Sequence, residues 1–477
     1  MMETFNKKST LLWLLTVLAV FLVAIIFGVT MRMGQAKMVE LSPLNFYVLM
    51  TSHGLLMAGV WFVAGMAGIQ YILSKYVAVP RWGSVIAYVC TLLGVVLLLF
   101  STFFAKLHAG WYFLYPLPFY AKGMEIGPLL FLIALTILGV GWLLWSLVLL
   151  ASILKKYTVA QALAWHHLTG KSEPAVSPFI LISFVSLIGV TSCILAAVVL
   201  LVLYYAEMLS TGTISNDPLL MKNLTFFFGH TLVNEMLYLG LAVLYELFPK
   251  MAGKPSYKTS WYVALSWNAT LLIVLFAYFH HLYMDFAQPV ALQYIGQIMS
   301  WFAPLPAAVV TIFSVLTTIY RSNMKWSLAA LLYFFGVMFW AIGGVGAILD
   351  AVIANNFVLH NTQWAPAHFH TYNLLGNVFF SLAFASWFAD EIGNNKIKPA
   401  MVKAVFSLLV IGGVGFVIAF YLGGALSVPR RVDSYNEVVS EGVSLAQMAV
   451  VFASLYLVGM ILYTIDFTKR CAGQLFS

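Results

Sequence analysis

Apolar residues run along this chain in long blocks, and polar positions are confined to short stretches between them. A helix crossing a hydrocarbon core of about 30 Å needs about 20 such residues. Twelve blocks meet that length: 11–31, 44–74, 83–105, 128–154, 179–205, 223–248, 259–284, 291–320, 326–353, 365–389, 401–425 and 443–467. The pattern predicts an all-α, polytopic membrane bundle of twelve transmembrane helices. Loops are short throughout, with no internal repeat or low-complexity linker, so residues 1–477 read as a single domain. The first block is apolar enough for a signal peptide. No small-residue cleavage site follows it, and it is read as the first span.

Twelve crossings put both termini on one side. Of the 24 lysines and arginines, 17 fall in segments on the side of the N-terminus and seven on the other. Positive residues accumulate on the cytoplasmic side, so cytoplasmic termini are expected, in a plasma membrane or a cell inner membrane. Composition agrees. The 477 residues are 62% hydrophobic and 8% charged, with a mean hydropathy of +0.96, whereas a soluble domain carries about 25% charged residues. The net charge of +8 is read as this topological signal and not as the mark of a nucleic-acid partner. Cys90, Cys193 and Cys471 stand singly, without CxxC or CxxCH, which excludes a disulfide framework and a covalently attached c-type heme.

Ten histidines carry the candidate chemistry. His166 and His167 fall in an inner loop, His108 and His360 in outer loops. The other six lie within spans: His53, His230, the pair His280 and His281, and the pair His368 and His370. At about 1.5 Å of rise per residue, all six share the outer half of the membrane. Ionisable residues inside a membrane are rare and mark function. Six at one depth on four helices point to a shared site. Imidazole is the commonest metal ligand, and carboxylates are nearly absent from this layer. Copper, iron or zinc therefore suits it better than calcium or magnesium. His368 and His370, in "APAHFH", are two residues apart and so about 200° apart around a helix. They would serve two sites, one on each side. Six ligands match a low-spin heme taking two, a high-spin heme taking one and a second metal taking three. Spacing alone leaves open which histidine does which job.

Six motifs stand in order on these spans: "TSHG" (51–54), "AGWYFLYPLP" (109–118), "GH" (229–230), "HH" (280–281), "HNTQWAPAHFH" (360–370) and "VPRR" (428–431). Together they resemble the catalytic subunit I of the heme–copper oxidase superfamily over nearly the whole chain, closest to its B-type members. The resemblance implies that His53 and His370 are axial ligands of a low-spin heme and that His368 is the proximal ligand of a high-spin heme. It implies that His230, His280 and His281 bind a second metal, copper in most members, with non-heme iron as the alternative. Arg430 and Arg431, and less directly His360, would meet heme propionates, a task suited to guanidinium forks.

The chain departs from that family at one telling position. Most A- and B-type oxygen reductases have a tyrosine four residues after the helix-6 histidine. This chain has Asn234 there. Positions i and i+4 share a helix face, so Asn234 is expected to face the metal. It cannot form the tyrosine's cross-link or a phenoxyl radical. Many nitric oxide reductases of the superfamily have a ligating glutamate at this position. The glutamate here is Glu235, about 140° away from His230 around the helix. Tyr238 and Tyr278 are the alternatives for the lost tyrosine. Tyr245 matches a tyrosine of the B-type proton channel, but the helix-8 positions expected to carry hydroxyls read Ala307 and Val310. Glu246, Glu235 and Tyr238 offer another route. Metal ligands kept and tyrosine lost point to nitric oxide reduction, with Asn234 donating a hydrogen bond to bound NO. The alternative is a terminal oxygen reductase making water from O2. A transporter fits poorly, since transporters place their sites at the midplane between repeated halves. The chain carries no cupredoxin or heme c motif, so electrons would come from a cupredoxin or cytochrome c subunit or from quinol.

Overall fold

The computed structural model describes residues 2–119, 125–170, 174–210, 215–435 and 439–475. Lys122 and Lys171, two of the residues in the charge count, lie outside them. Among the described residues the chain is helical with no strand beyond one isolated bridge between Thr362 and Pro429. The long helices are α1 (Met2–Gln35), α2 (Pro43–Leu73), α3 (Arg81–Phe103), α4 (Ile126–Leu154), α5 (Pro178–Leu209), α6 (Pro218–Met251), α7 (Trp261–Ala277), α8 (Val290–Ile319), α9 (Leu328–Asp350), α10 (364–392), α11 (Pro399–Ala425) and α12 (Glu441–Cys471). Ser42, Ser177, Asp217 and Ser327 cap α2, α5, α6 and α9 by accepting from backbone N–H groups of the first turn. These residue types satisfy orphan donors, and proline at the first position of α2, α5 and α6 costs no hydrogen bond there.

Among the described residues, eleven helices are long and apolar enough to cross a membrane. The expected tenth span is divided instead: α-helical over Trp364–His370, π-helical over Thr371–Asn377, then α-helical over Val378–Ile392. Side chains take up carbonyls that the wider turn loosens. Asn373 Nδ2 donates to the Phe369 carbonyl at 3.1 Å, and the Tyr456 hydroxyl to that of Leu374 at 3.1 Å. Two other spans are less regular than their apolar patterns suggest. α7 tightens into a 3₁₀ turn over Tyr278–Leu282, and α8 is broken at residues 303–304, where Pro304 and Pro306 cannot continue the backbone ladder.

Sequential helices pack as antiparallel neighbours, most extensively α11 with α12, α3 with α4, α5 with α6 and α1 with α2. Thr4, Lys7, Lys8, Ile392 and Gln474 line one shallow pocket, so both termini sit at the same end of the bundle. Val96, Phe100, Val202, Leu272 and Phe313 are exposed on the outside, as a lipid-facing surface requires, while α2 and α6 are buried in the centre. Even-numbered helices therefore begin at the end opposite the termini, and the six intramembrane histidines fall in that half.

Candidate metal and heme centre

A cavity of about 610 Å³ occupies this half of the bundle. Protein interiors pack like organic crystals, with few voids larger than a water. A void of this size with mostly apolar walls is a built space. His53, His230, His280, His281, His368 and His370 all line it, as do Asn234, Tyr238, His360, Arg430 and Arg431.

Backbone contacts fix three of the six intramembrane imidazoles. His53 Nδ1 donates to the Ala24 carbonyl at 2.7 Å and His370 Nδ1 to that of Pro366 at 2.7 Å, which leaves Nε2 of each free. His280 Nδ1 contacts the Ala277 carbonyl and Ser300 Oγ at 2.7 and 2.8 Å. Hydrogen bonding through the second ring nitrogen is how metal-binding imidazoles are oriented. His230 Nδ1 is buried with no hydrogen-bond partner.

His230, His280 and His281 bring one ring nitrogen each within 4.8 Å of the others, the group of at least three potential ligands found among the described residues. The 3₁₀ turn makes this possible. It places two consecutive histidines with ring centroids 4.1 Å apart, 4.9 and 5.4 Å from the ring of His230. Gly296 of α8 lets the turn approach, because a Cβ there would lie 2.9 Å from the His280 backbone nitrogen. Three imidazoles and no carboxylate fit copper, zinc or iron.

His368 and His370 lie on different sides of α10. The His368 ring sits 5.1 Å from that of Tyr372, while His370 packs between Phe416 and Phe420 at 5.3 and 5.4 Å. The Phe369 ring between them meets Trp61 and Trp111. His53 stands over Gly28 of α1, where a Cβ would come within 2.7 Å of the imidazole. Imidazoles on both sides of one helix, apolar walls and an adjacent cation pair fit two porphyrins carrying propionates.

The cations lie in the loop between α11 and α12. Arg430 Nε is buried without a partner, and the Arg431 guanidinium lies over the Tyr112 ring at 3.9 Å. Burial, with Arg431 beside it, pushes Arg430 down to about 9, still a cation at neutral pH. Burial also lowers Arg431. Burial and the nearby Arg430 charge push His360 down to about 4; its Nδ1 lies 3.2 Å from Asn356 Oδ1. Two buried cations held close together call for an anion between them.

The other expected residues divide between the cavity wall and its surroundings. Asn234 reaches the cavity, with Nδ2 donating to the His230 carbonyl at 2.8 Å. Glu235 does not line it. Its carboxylate is fully buried against α5, in a notch that any Cβ on Gly189 would fill. Tyr278 donates to Asn223 Oδ1 at 3.3 Å, away from the metal ligands. Glu246 lies near the end that carries the termini, accepting from the Tyr76 hydroxyl and paired with Lys250, both at 2.6 Å. Ala307 and Val310 are buried, and Thr311, one position after Val310, supplies a hydroxyl. Tyr245 pairs with Thr311 at 3.1 Å, the Tyr257 hydroxyl donates to the Ser314 carbonyl at 2.8 Å, and Thr318 donates to Tyr257 at 2.6 Å. Positions 307 and 310 thus carry no hydroxyl, as the sequence reads, and Thr311 of α8 is the hydroxyl that meets Tyr245.

One residue escaped the sequence reading. Arg32, counted only as a loop-side charge, is half-buried at the end of α1 and lines the cavity beside His53, with its guanidinium 3.9 Å from the Phe420 ring centroid. An arginine one turn from a helix end looks the same in sequence as an interfacial anchor.

Residues 8–461 match the family described as cytochrome c and quinol oxidase polypeptide I. The chain is 26% identical over 409 residues to cytochrome c oxidase subunit 1 of Synechocystis, covering 83% of this chain and 71% of that one. It is 24% identical over 451 residues to cytochrome c oxidase subunit 1 of Bacillus subtilis, covering 90% and 69%. The match to ubiquinol oxidase subunit 1 of Acetobacter aceti, also 24% identical, spans 49% of this chain and 35% of that one. A heme–copper terminal oxidase dimer solved by cryo-electron microscopy shares the fold, with a TM-score of 0.74 at 18% identity over 100% of this chain and 84% of that one.

Proposed function

The chain belongs to the cytochrome c and quinol oxidase polypeptide I family and is therefore a multi-pass membrane oxidoreductase of the heme–copper oxidase type; from that premise we propose that it reduces nitric oxide, two NO, two electrons and two protons giving N2O and water. His53 and His370 hold a low-spin heme, His368 a high-spin heme, and His230, His280 and His281 a copper ion, with non-heme iron as the alternative. When bound, these groups carry electrons to the cavity and supply the two that the reaction needs.

The chain's own residues hold, orient and protonate. Arg430 and Arg431 neutralise propionates in a buried setting where an unpaired charge is costly, and His360, uncharged there, offers them a hydrogen bond. The carbonyls of Ala24, Pro366 and Ala277 fix three imidazole orientations. Asn234, tied through one N–H to the His230 carbonyl, presents its remaining amide hydrogen and Oδ1 to substrate. Protons enter by way of Thr318, Tyr257, Tyr245 and Thr311 beside α8, or by way of Glu246, Glu235 and Tyr238. The heme layer lies toward the outer side of a plasma or inner membrane, with cytoplasmic termini. A cupredoxin or cytochrome c subunit, or quinol, delivers electrons.

One observation carries the choice of substrate. Asn234 stands at the cavity one turn from His230, where oxygen reductases of the resembling types use a tyrosine. Two electrons suffice for nitric oxide, whereas cleaving O2 takes four. The second reading, O2 reduction to water, is favoured by the printed names of the relatives and by Tyr238 and Tyr372 lining the same cavity. Steady-state turnover with NO and with O2 on one purified preparation separates them. Faster NO consumption, with one N2O released per two NO, is expected. Faster O2 consumption would transfer the assignment to the second reading.

A further inference from the structure

A second histidine pair lies far from the cavity, and neither the fold nor the redox centre accounts for it. His166 and His167 precede Leu168, just as His280 and His281 precede Leu282. The two pairs also share a shape. The ring centroids of His166 and His167 are 4.2 Å apart with planes at 40°, against 4.1 Å and 38° for His280 and His281. The segment is pinned to the middle of α7. Trp165 Nε1 donates to Asn268 Oδ1 at 3.0 Å, and Asn268 Nδ2 donates to the Leu163 carbonyl at 2.9 Å. His166 is 6% exposed, and both its ring nitrogens are buried without a hydrogen-bond partner, as is Nε2 of His167. A neutral imidazole has one donor and one acceptor, and buried polar atoms are nearly always satisfied. Three unsatisfied nitrogens on two adjacent rings define a ligand set.

We infer that His166 and His167 bind a borderline divalent cation of the zinc class, each through one ring nitrogen, with water completing the coordination on the half-exposed side of His167. Imidazole donors favour zinc over calcium or magnesium, which take oxygen ligands. This site is independent of the nitric oxide assignment, since it shares no residue with the cavity.

Zinc alone is the probe. Equilibrium dialysis of chelator-washed holoenzyme is expected to find a zinc ion retained per chain beyond the metal of the redox centre. H166Q and H167A are each expected to weaken that binding about tenfold or more, while H108A, at a histidine already bonded to the Lys106 carbonyl, leaves it unchanged. The visible spectrum of each variant reports whether it has folded. Zinc-edge X-ray absorption on the loaded wild-type enzyme needs no variant, and imidazole nitrogens at about 2.0–2.1 Å are expected. The inference is overturned if the wild type retains no extra zinc, if both folded variants bind as the wild type does, or if the absorption shows no imidazole scattering.

Discussion

At the scale of single residues, the chemistry is divided by which way a side chain points around a helix. His368 and His370 face different sides of α10, so their losses should be separable. H370L is expected to remove the low-spin heme absorption and spare carbon monoxide binding at the high-spin heme. H368L is expected to do the reverse, and identical spectra for the two variants would contradict separate sites. Asn234 and Glu235 divide in the same way, one toward the cavity and one into α5. If Asn234 contributes one hydrogen bond of about 1–1.5 kcal/mol to substrate, N234A should lower NO turnover about five- to tenfold with the heme spectra intact. Unchanged turnover would remove that role. The histidines were legible in the sequence because imidazole is conspicuous in an apolar span. Arg32 was not, because its importance comes from Phe420 and His53, which fold onto it from other helices.

At the scale of helices, small residues set how closely side chains approach. Gly28 leaves room for the His53 ring. G28A should displace the imidazole and cost about 1–3 kcal/mol of overpacking, read out as lost low-spin heme absorption although His53 itself is kept. Gly189 makes room for the Glu235 carboxylate in the same way. G189A should lower thermal stability by a similar amount, and G189A with E235A should recover much of the loss. Additive effects in that cycle would mean the two groups are not in contact. The helices themselves were largely legible, since length and hydropathy are counted directly from residues. The π segment at Thr371–Asn377 and the 3₁₀ turn at Tyr278–Leu282 were not. Each depends on a shift of one residue in hydrogen-bond register, which leaves apolar character unchanged.

At the scale of the whole molecule, the bundle brings four separate stretches of chain to one cavity at the end opposite the termini. α2 supplies His53, α6 supplies His230 and Asn234, the turn after α7 supplies the adjacent pair, and α10 supplies one histidine to each side of itself. The loop after α11 adds the two arginines above them. Alternating helix direction made that shared depth readable before any coordinates. The size of the cavity and its single connected interior required them. The most direct test is the cofactor content of the purified protein, taken as heme and metal per chain on one sample. Two hemes and one copper, or one non-heme iron in its place, are predicted for each chain. A preparation that is folded and stable with one heme or none would contradict the account.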